Sequence, residues 1–294
     1  MSVVINTNVD SLKVQSILSS ATNKLSDSMK KMSTGLKVQE AKDDAAGCVI
    51  AARMKVQMDG NKIAQNNVQN GSAMLSTAEG HLDVIQDNLS RIRDLTLQAK
   101  NGTYSADEIK AMQDEVSQRV AEIDRVSDSS KYSSLKLFGA KKGEQDDGLA
   151  KNGATFQVGA NATTDDQIKA SEDLFKSVKF KDLIKDDSNF DNDSFDLTKL
   201  SAGQLTNAIN ALDKGIDNLT SRKSIIGSVQ NRLASALDTL TTQYENLSSA
   251  KSIITDADIA SEASTFTQQN ILQQVSTSLL AQANQAPSIA LSLI

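Results

Sequence analysis

Residues 50–99 read IAARMKVQMDGNKIAQNNVQNGSAMLSTAEGHLDVIQDNLSRIRDLTLQA. Within them Ile50, Met54, Gln57, Asn61, Ala64, Val68, Gly71, Leu75, Ala78, Leu82, Ile85, Leu89, Ile92, Thr96 and Ala99 recur at alternating steps of 4 and 3. That alternation puts all of them on one stripe of an α-helix, the seam through which helices pack in coiled coils. Sustained for about fifty residues, it predicts a helix on the order of 75 Å long. Such a helix draws most of its stability from a partner along its apolar stripe.

The partner is the second long seam: Ile209, Leu212, Ile216, Leu219, Lys223, Ile226, Gln230, Leu233, Leu237, Leu240, Tyr244, Leu247, Lys251 and Ile254. Its polar members are tolerable where register must be fixed. The two long helices, near 45–100 and 205–254, match in length and can pair antiparallel. Asn101-Gly102-Thr103 ends the first, with Gly102 suited to a left-handed cap. Ser105 and Glu108 then stand at capping-box spacing. They open a third helix over 104–127 carrying Ile109, Met112, Val116, Val120 and Ile123.

Outside the long helices the chain repeats itself in reverse. Leu18, Thr22, Leu25, Met29, Met32 and Leu36 form a shorter seam that breaks at Gly35. Asp43 and Asp44 then suit the start of the first long helix, against the positive end of its dipole. At the other end Thr255-Asp256-Ala257-Asp258 interrupts the second long helix. A final helix carries Ile259, Ala263, Phe266, Leu272, Val275, Leu279 and Ala283, followed by Pro287 and the apolar Ile289–Ile294. Both terminal helices emerge at the same end. Each has a seam without an evident partner inside the monomer, so both are expected to be disordered alone and buried by identical neighbours. Residues 128–200 are rich in Ser, Lys, Asp, Gly and Asn, and Thr155-Phe156-Gln157-Val158-Gly159 alternates like a strand. The fold expected is mostly α: a long antiparallel coiled-coil helical bundle with a short β-hairpin region in the centre.

Composition agrees and excludes several functions. Aromatics are 3% of 294 residues, with no Trp and one Pro, which suits long packed helices better than an aromatic-rich globule. A net charge of −6 offers no basic footprint for nucleic acid. No apolar run approaches the ~18 residues of a membrane helix, so no membrane insertion is expected. The N-terminus lacks the basic and apolar regions of a cleaved signal peptide. Cys48 and His81 are the single cysteine and histidine, so an internal disulfide is excluded and a Cys/His zinc site lacks ligands. Cys48 sits in Ala45-Ala46-Gly47-Cys48-Val49-Ile50-Ala51-Ala52, where a free thiol packs as a small hydrophobe. Asp191-Asn192-Asp193 lacks the Gly and terminal Glu of a calcium loop. No constellation carries chemistry, and no enzyme activity, cofactor or metal is expected.

The motifs at both ends resemble bacterial flagellin, the flagellar filament subunit. They include Ile5-Asn6-Thr7-Asn8, Ser33-Thr34-Gly35-Leu36, Ala41-Lys42-Asp43-Asp44-Ala45-Ala46-Gly47, Thr77-Ala78-Glu79-Gly80 and Arg91-Ile92-Arg93-Asp94-Leu95. Gln230-Asn231-Arg232-Leu233, Ser249–Ile254, Asp256-Ala257-Asp258 and Leu280–Gln285 continue the likeness at the C-terminal end. It covers roughly 1–140 and 204–294. Phe156–Asn161 resembles the β-hairpin region of the family's outer-tube domain. Cys48 stands where the family has an aliphatic residue, and Tyr132-Ser133-Ser134 replaces the family's Asn-Gly segment.

The resemblance implies a self-assembling helical polymer, exported without a cleaved signal and located outside the cell. It implies an inner-tube segment, 1–40 with 256–294, and an outer-tube segment, 41–255, with the hairpin and loop region at about 130–203 and little or no separate outer domain. Subunit packing is expected at Leu18, Leu25, Met29, Met32, Leu36, Phe266, Leu272, Val275 and Leu279. An export chaperone would wrap the C-terminal helix, and filament-cap and hook-junction proteins would be neighbours. Arg91, Asp94, Leu95 and Glu115 match the surface facing the vertebrate Toll-like receptor. A hook–filament junction protein is the nearest alternative; a secreted coiled-coil scaffold or translocator would explain the heptads but not the paired terminal motifs.

Overall fold

The computed structural model describes residues 7–139, 149–184 and 195–291. The Ile5-Asn6 part of the first motif, the Asp191-Asn192-Asp193 triplet, and the last residues of the apolar tail lie outside the described residues. In chain order the elements are α1 (Val9–Thr34), α2 (Ala45–Ala99), α3 (Ala106–Ser129), β1 (Lys131–Tyr132), β2 (Leu135–Lys136), α4 (Leu149–Asn152), β3 (Ala154–Gln157), β4 (Gln167–Ala170), α5 (Phe180–Leu183), α6 (Ala202–Thr255) and α7 (Ile259–Leu291). They divide into two compact units, residues 1–58 with 245–294 and residues 59–244.

The 59–244 unit is built on the predicted antiparallel pair. Lys223 of α6 ion-pairs with Asp83 of α2, Gln230 reaches Ser76 and Glu79, and Asp213 holds Arg93. Rising numbers on one helix meet falling numbers on the other. From Asn61 to Ala99 every predicted α2 seam residue is buried, and every predicted α6 seam residue is buried or half-buried. Leu82, Ile85, Leu89, Ile92, Leu212, Leu219, Ile226 and Leu233 are fully enclosed. Each such side chain contributes roughly 1.5–3 kcal/mol by leaving water. Helix α3 opens with the predicted capping box: Glu108 accepts from the Ser105 N–H at 2.7 Å, and Ser105 Oγ accepts from the Glu108 N–H. It lies antiparallel on α2, where Arg91 pairs with Glu115 and Asn88 with Arg119.

The central segment holds two small antiparallel hairpins, β1–β2 and β3–β4. In β3–β4, Phe156 pairs with Ile168 in register, and Ala154, Phe156, Ile168 and Ala170 face inward while Thr155 and Lys169 face water. This hairpin seats where α2 carries glycine. A Cβ on Gly71 would stand 2.6 Å from the Phe156 ring, and one on Gly60 would stand 2.8 Å from the Ala160 Cβ. Glycine therefore costs α2 some helix propensity and admits the hairpin. Helix α3 anchors the rest: Gln113 donates to the Phe195 carbonyl and accepts from the Leu197 N–H, and Asp124 accepts from the Phe180 N–H.

Three expectations are corrected. Ile50 and Gln57 are exposed, and Ala51 and Met58 are buried instead; the seam shifts by one residue at the start of α2, where Ala51, Met54 and Met58 carry the 3/4 spacing into Asn61. Gly102 is not in the left-handed region; Gly35 is, at φ 72°, closing α1 through its N–H to the Lys31 carbonyl. The terminal helices also do not stand alone, because α1 packs on α7.

Candidate functional site

In the unit formed by residues 1–58 with 245–294, α1 starts at Asn8, whose Oδ1 accepts from the Ser11 N–H at 3.0 Å. α7 starts at Asp258, whose Oδ1 accepts from the Ala260 and Ser261 N–H groups. The two helices run antiparallel: Asn8 reaches the Ala283 carbonyl, Ser11 reaches Asn284, and Thr22 meets Gln273.

The seam between them mixes apolar residues with small and polar ones, and the small and polar ones are the most deeply buried. On α1, Val14, Leu18, Ala21, Leu25, Ser28 and Met32 share the inward face at 3/4 spacing, with Ala21 and Ser28 fully buried. On α7 the inward face is Phe266, Gln269, Gln273, Ser276, Leu280 and Ala283, with Gln269 and Ser276 buried. Small side chains let helix backbones approach closely, but they bury little apolar area.

A further set of large apolar residues points outward. Leu272, Val275 and Leu279 are 39%, 48% and 47% exposed. Their steps of 3 and 4 form a second stripe, roughly a quarter turn around α7 from the seam. Ile271 and Leu272 also line a shallow groove with Ser264, Thr267 and Gln268. On α1, Leu12, Ile17 and Met29 are more than half exposed. The nine residues expected to pack between subunits thus fall into two sets. Leu18, Leu25, Met32, Leu36 and Phe266 are half-buried within the chain, and Met29, Leu272, Val275 and Leu279 face water. Hydrophobic spacing alone missed Ser28, Gln269, Gln273 and Ser276, because polar side chains at seam positions carry no apolar signal.

The chain breaks between helices meet each other. Residues 35–38 and 255–257 form a bridge, with Lys37 N–H on the Thr255 carbonyl and Ala257 N–H on the Gly35 carbonyl, each 2.8 Å. Asp44 caps α2 by accepting from the Gly47 N–H at 2.9 Å, while Asp43 accepts from the Gln39 and Glu40 N–H groups. Those backbone bonds hold the Asp43 carboxyl below its usual range. Lys30 and Lys42 grip the two oxygens of Glu40, and their hydrogen bonds bring its pKa down to about 2. The Ser252 and Thr255 hydroxyls lower Asp256 in the same way.

In the other unit, Arg91 clasps Glu115 with two bonds, 2.9 and 3.2 Å, and Arg119 shares that carboxylate. The guanidinium bonds depress the Glu115 pKa, Arg91 first. Asp94 is exposed, but Leu95 is 2% exposed and belongs to the core. The expected receptor-facing set narrows to Arg91, Asp94 and Glu115, because Leu95 is buried in the core.

Among the described residues no group of three or more His, Cys, Asp or Glu could hold a metal ion, and no helix is long and apolar enough to cross a membrane. Cys48 is free and half-buried.

Known proteins share this organisation. A family model of the bacterial flagellin N-terminal helical region matches residues 5–142, and one of the bacterial flagellin C-terminal helical region matches residues 209–294. The chain is 34% identical to a flagellin of Bacillus subtilis (strain 168), with 99% of each chain covered. It is 34% identical to a flagellin of Serratia marcescens over 100% of each, and 32% identical to the flagellar filament 33 kDa core protein of Treponema phagedenis over 99% of each. Among solved structures it resembles a putative flagellar hook-associated protein from Vibrio parahaemolyticus, with a TM-score of 0.55, 19% identity, and 72% of this chain and 99% of that one covered. At that identity the likeness concerns the fold alone.

Proposed function

Because this chain belongs to the bacterial flagellin family and is a subunit that polymerises into the flagellar filament, we propose that the outward faces of α1 and α7 are its principal subunit-packing surface. The observation that carries this reading is the outward apolar stripe of α7: the most deeply buried residues of the pair are Ala21, Ser28, Gln269 and Ser276, while Leu272, Val275 and Leu279 lie outside. A contiguous exposed apolar surface marks an interaction site, and in a helical homopolymer the neighbours are copies of the chain. Met29, Leu272, Val275 and Leu279 make the intersubunit contacts; Leu18, Leu25, Met32, Leu36 and Phe266 hold the pair that presents them.

On this reading residues 1–40 with 256–294 form the inner tube, and 41–255, with the hairpins at about 130–203, form the outer tube. The subunit is exported through the flagellum's own type III route to the extracellular filament. Before export the same α7 stripe is covered by a dedicated chaperone, because an apolar face of this kind favours premature association. Cap and hook-junction proteins contact the ends of the polymer through the same terminal helices. Arg91, Asp94 and Glu115 present the Toll-like receptor surface, which a reporter assay comparing natural chain with Arg91→Ala tests: activation that the substitution lowers is expected, and a natural chain that gives none removes the site. The hook-junction alternative gains no residue-level support.

Deleting residues 271–294 tests the packing role. Loss of both chaperone binding and polymerisation, with the 59–244 unit still folded, is expected; long filaments from the truncated chain would refute it.

A further inference from the structure

Pro287 lies inside α7, which runs Ile259–Leu291. In an α-helix the carbonyl of residue 283 accepts from the N–H of residue 287. Proline has no N–H, so that donor does not exist in this chain. The Ala283 carbonyl instead accepts from the side-chain amide of Asn8, with Nδ2 2.7 Å away across a sequence separation of 275 residues.

The other half of the same amide is also engaged. Asn8 Oδ1 accepts from the Ser11 N–H at 3.0 Å and caps α1. One turn inward, Ser11 Oγ donates to Asn284 Oδ1 at 2.9 Å. Asn8 thus meets one of the N–H groups that every helix leaves free at its start and the carbonyl that Pro287 leaves without its helical donor.

We propose that Asn8 and Pro287 form a clasp: the Asn8 amide substitutes for the donor Pro287 lacks, and this fixes the register of α1 against α7. The clasp explains the residue type. Asp would cap α1 as well as Asn does. An ionised Asp, however, has no donor and would set a carboxylate oxygen against the Ala283 carbonyl oxygen. Asn alone among the common caps offers an acceptor and a two-hydrogen donor on one planar group. Residue 287 therefore dictates which cap residue 8 must be, although the two are at opposite ends of the chain.

A double-mutant cycle on the full-length chain tests the coupling. Hydrogen–deuterium exchange is followed by mass spectrometry in peptides covering the first turns of α1 and residues 270–285, for the natural chain, N8D, P287A and N8D/P287A at neutral pH. In the natural background N8D should speed exchange at both ends about fivefold, the size of one lost hydrogen bond. In the P287A background residue 287 supplies its own N–H, and N8D should change exchange less than about twofold. Comparison within each background removes the effect of P287A on α7 itself. Equal N8D effects in both backgrounds would overturn the clasp and leave Asn8 a plain helix cap, and so would no effect in the natural chain. If N8D leaves α1 wholly unprotected, N8S keeps the cap and is read through the same cycle with the same two outcomes.

Discussion

Leu36 and Asp256 pair across an antiparallel bridge that joins the chain break after α1 to the break before α7. The two interruptions, 220 residues apart in sequence (256 − 36), are one joint in the structure. Its entry is set by Gly35, whose φ of 72° is disfavoured for any residue with a Cβ. A methyl group there meets nothing within 4 Å, so the cost of Gly35→Ala is conformational alone, about 1 kcal/mol. Gly102→Ala, also in open space but at an ordinary φ, should be neutral or slightly stabilising. Thermal unfolding of the two variants, with trypsin cleavage at Lys37 and Lys42 as the local readout, checks the contrast. Equal behaviour would mean that Gly35 is not required at the joint.

The α2/α6 seam makes a sharper demand. Leu82 is fully enclosed, and Val56 on the same helix is 73% exposed. Leu82→Ala should cost ~2–5 kcal/mol and Val56→Ala no more than ~0.5 kcal/mol. Urea unfolding curves resolve that difference easily. A small loss at Leu82 would place the seam on the wrong face.

Sequence legibility follows the same physics. All fourteen α6 seam positions face inward, because that helix marks its buried stripe with large aliphatic residues almost throughout. On α7 the apolar spacing Leu272-Val275-Leu279 marks an outward stripe, while the inward seam interleaves Gln269, Gln273 and Ser276 with Phe266, Leu280 and Ala283. Periodicity finds apolar stripes and does not say what covers them. Gly60 and Gly71 read as weak points in a helix; their use appears only when Ala160 and Phe156 close on them. The Ser105–Glu108 capping box and the Asp44 cap were legible because local backbone chemistry alone decides them. The Asn8–Ala283 contact was not, since nothing local to Asn8 announces a proline near the other terminus.

Glu40 supplies a pH-dependent element of the joint. Lys30 and Lys42 bring its pKa from 4.5 to about 2. A folded-state pKa below the unfolded one gives a contribution present above about 4.5 and lost as pH falls toward about 2. The side chain is exposed, so added salt should weaken the effect. An NMR titration of the Glu40 carboxyl carbon should show the low midpoint, and Lys30→Met should raise it. A midpoint in the ordinary range, unchanged by Lys30→Met, would dissolve the pair.

The β1–β2 turn stores strain. Ser133 has a φ of 56°, the one positive value outside glycine among the described residues. Relieving it with Ser133→Gly should stabilise by a few tenths to about 1 kcal/mol, and Ser133→Val should destabilise by more than about 1 kcal/mol. Differential scanning calorimetry orders the three chains. A natural chain more stable than both variants by equal margins would show that Ser133 is held by its side chain and not strained.

If the outward stripe of α7 packs copies of this subunit together, V275N/L279N should fold and fail to polymerise. Both side chains are about half exposed, so the soluble chain should keep its helical circular dichroism and melt close to the natural chain. Electron microscopy and sedimentation under polymerising conditions should then show no long filaments. Filaments of normal length and yield from that folded double variant would contradict the account.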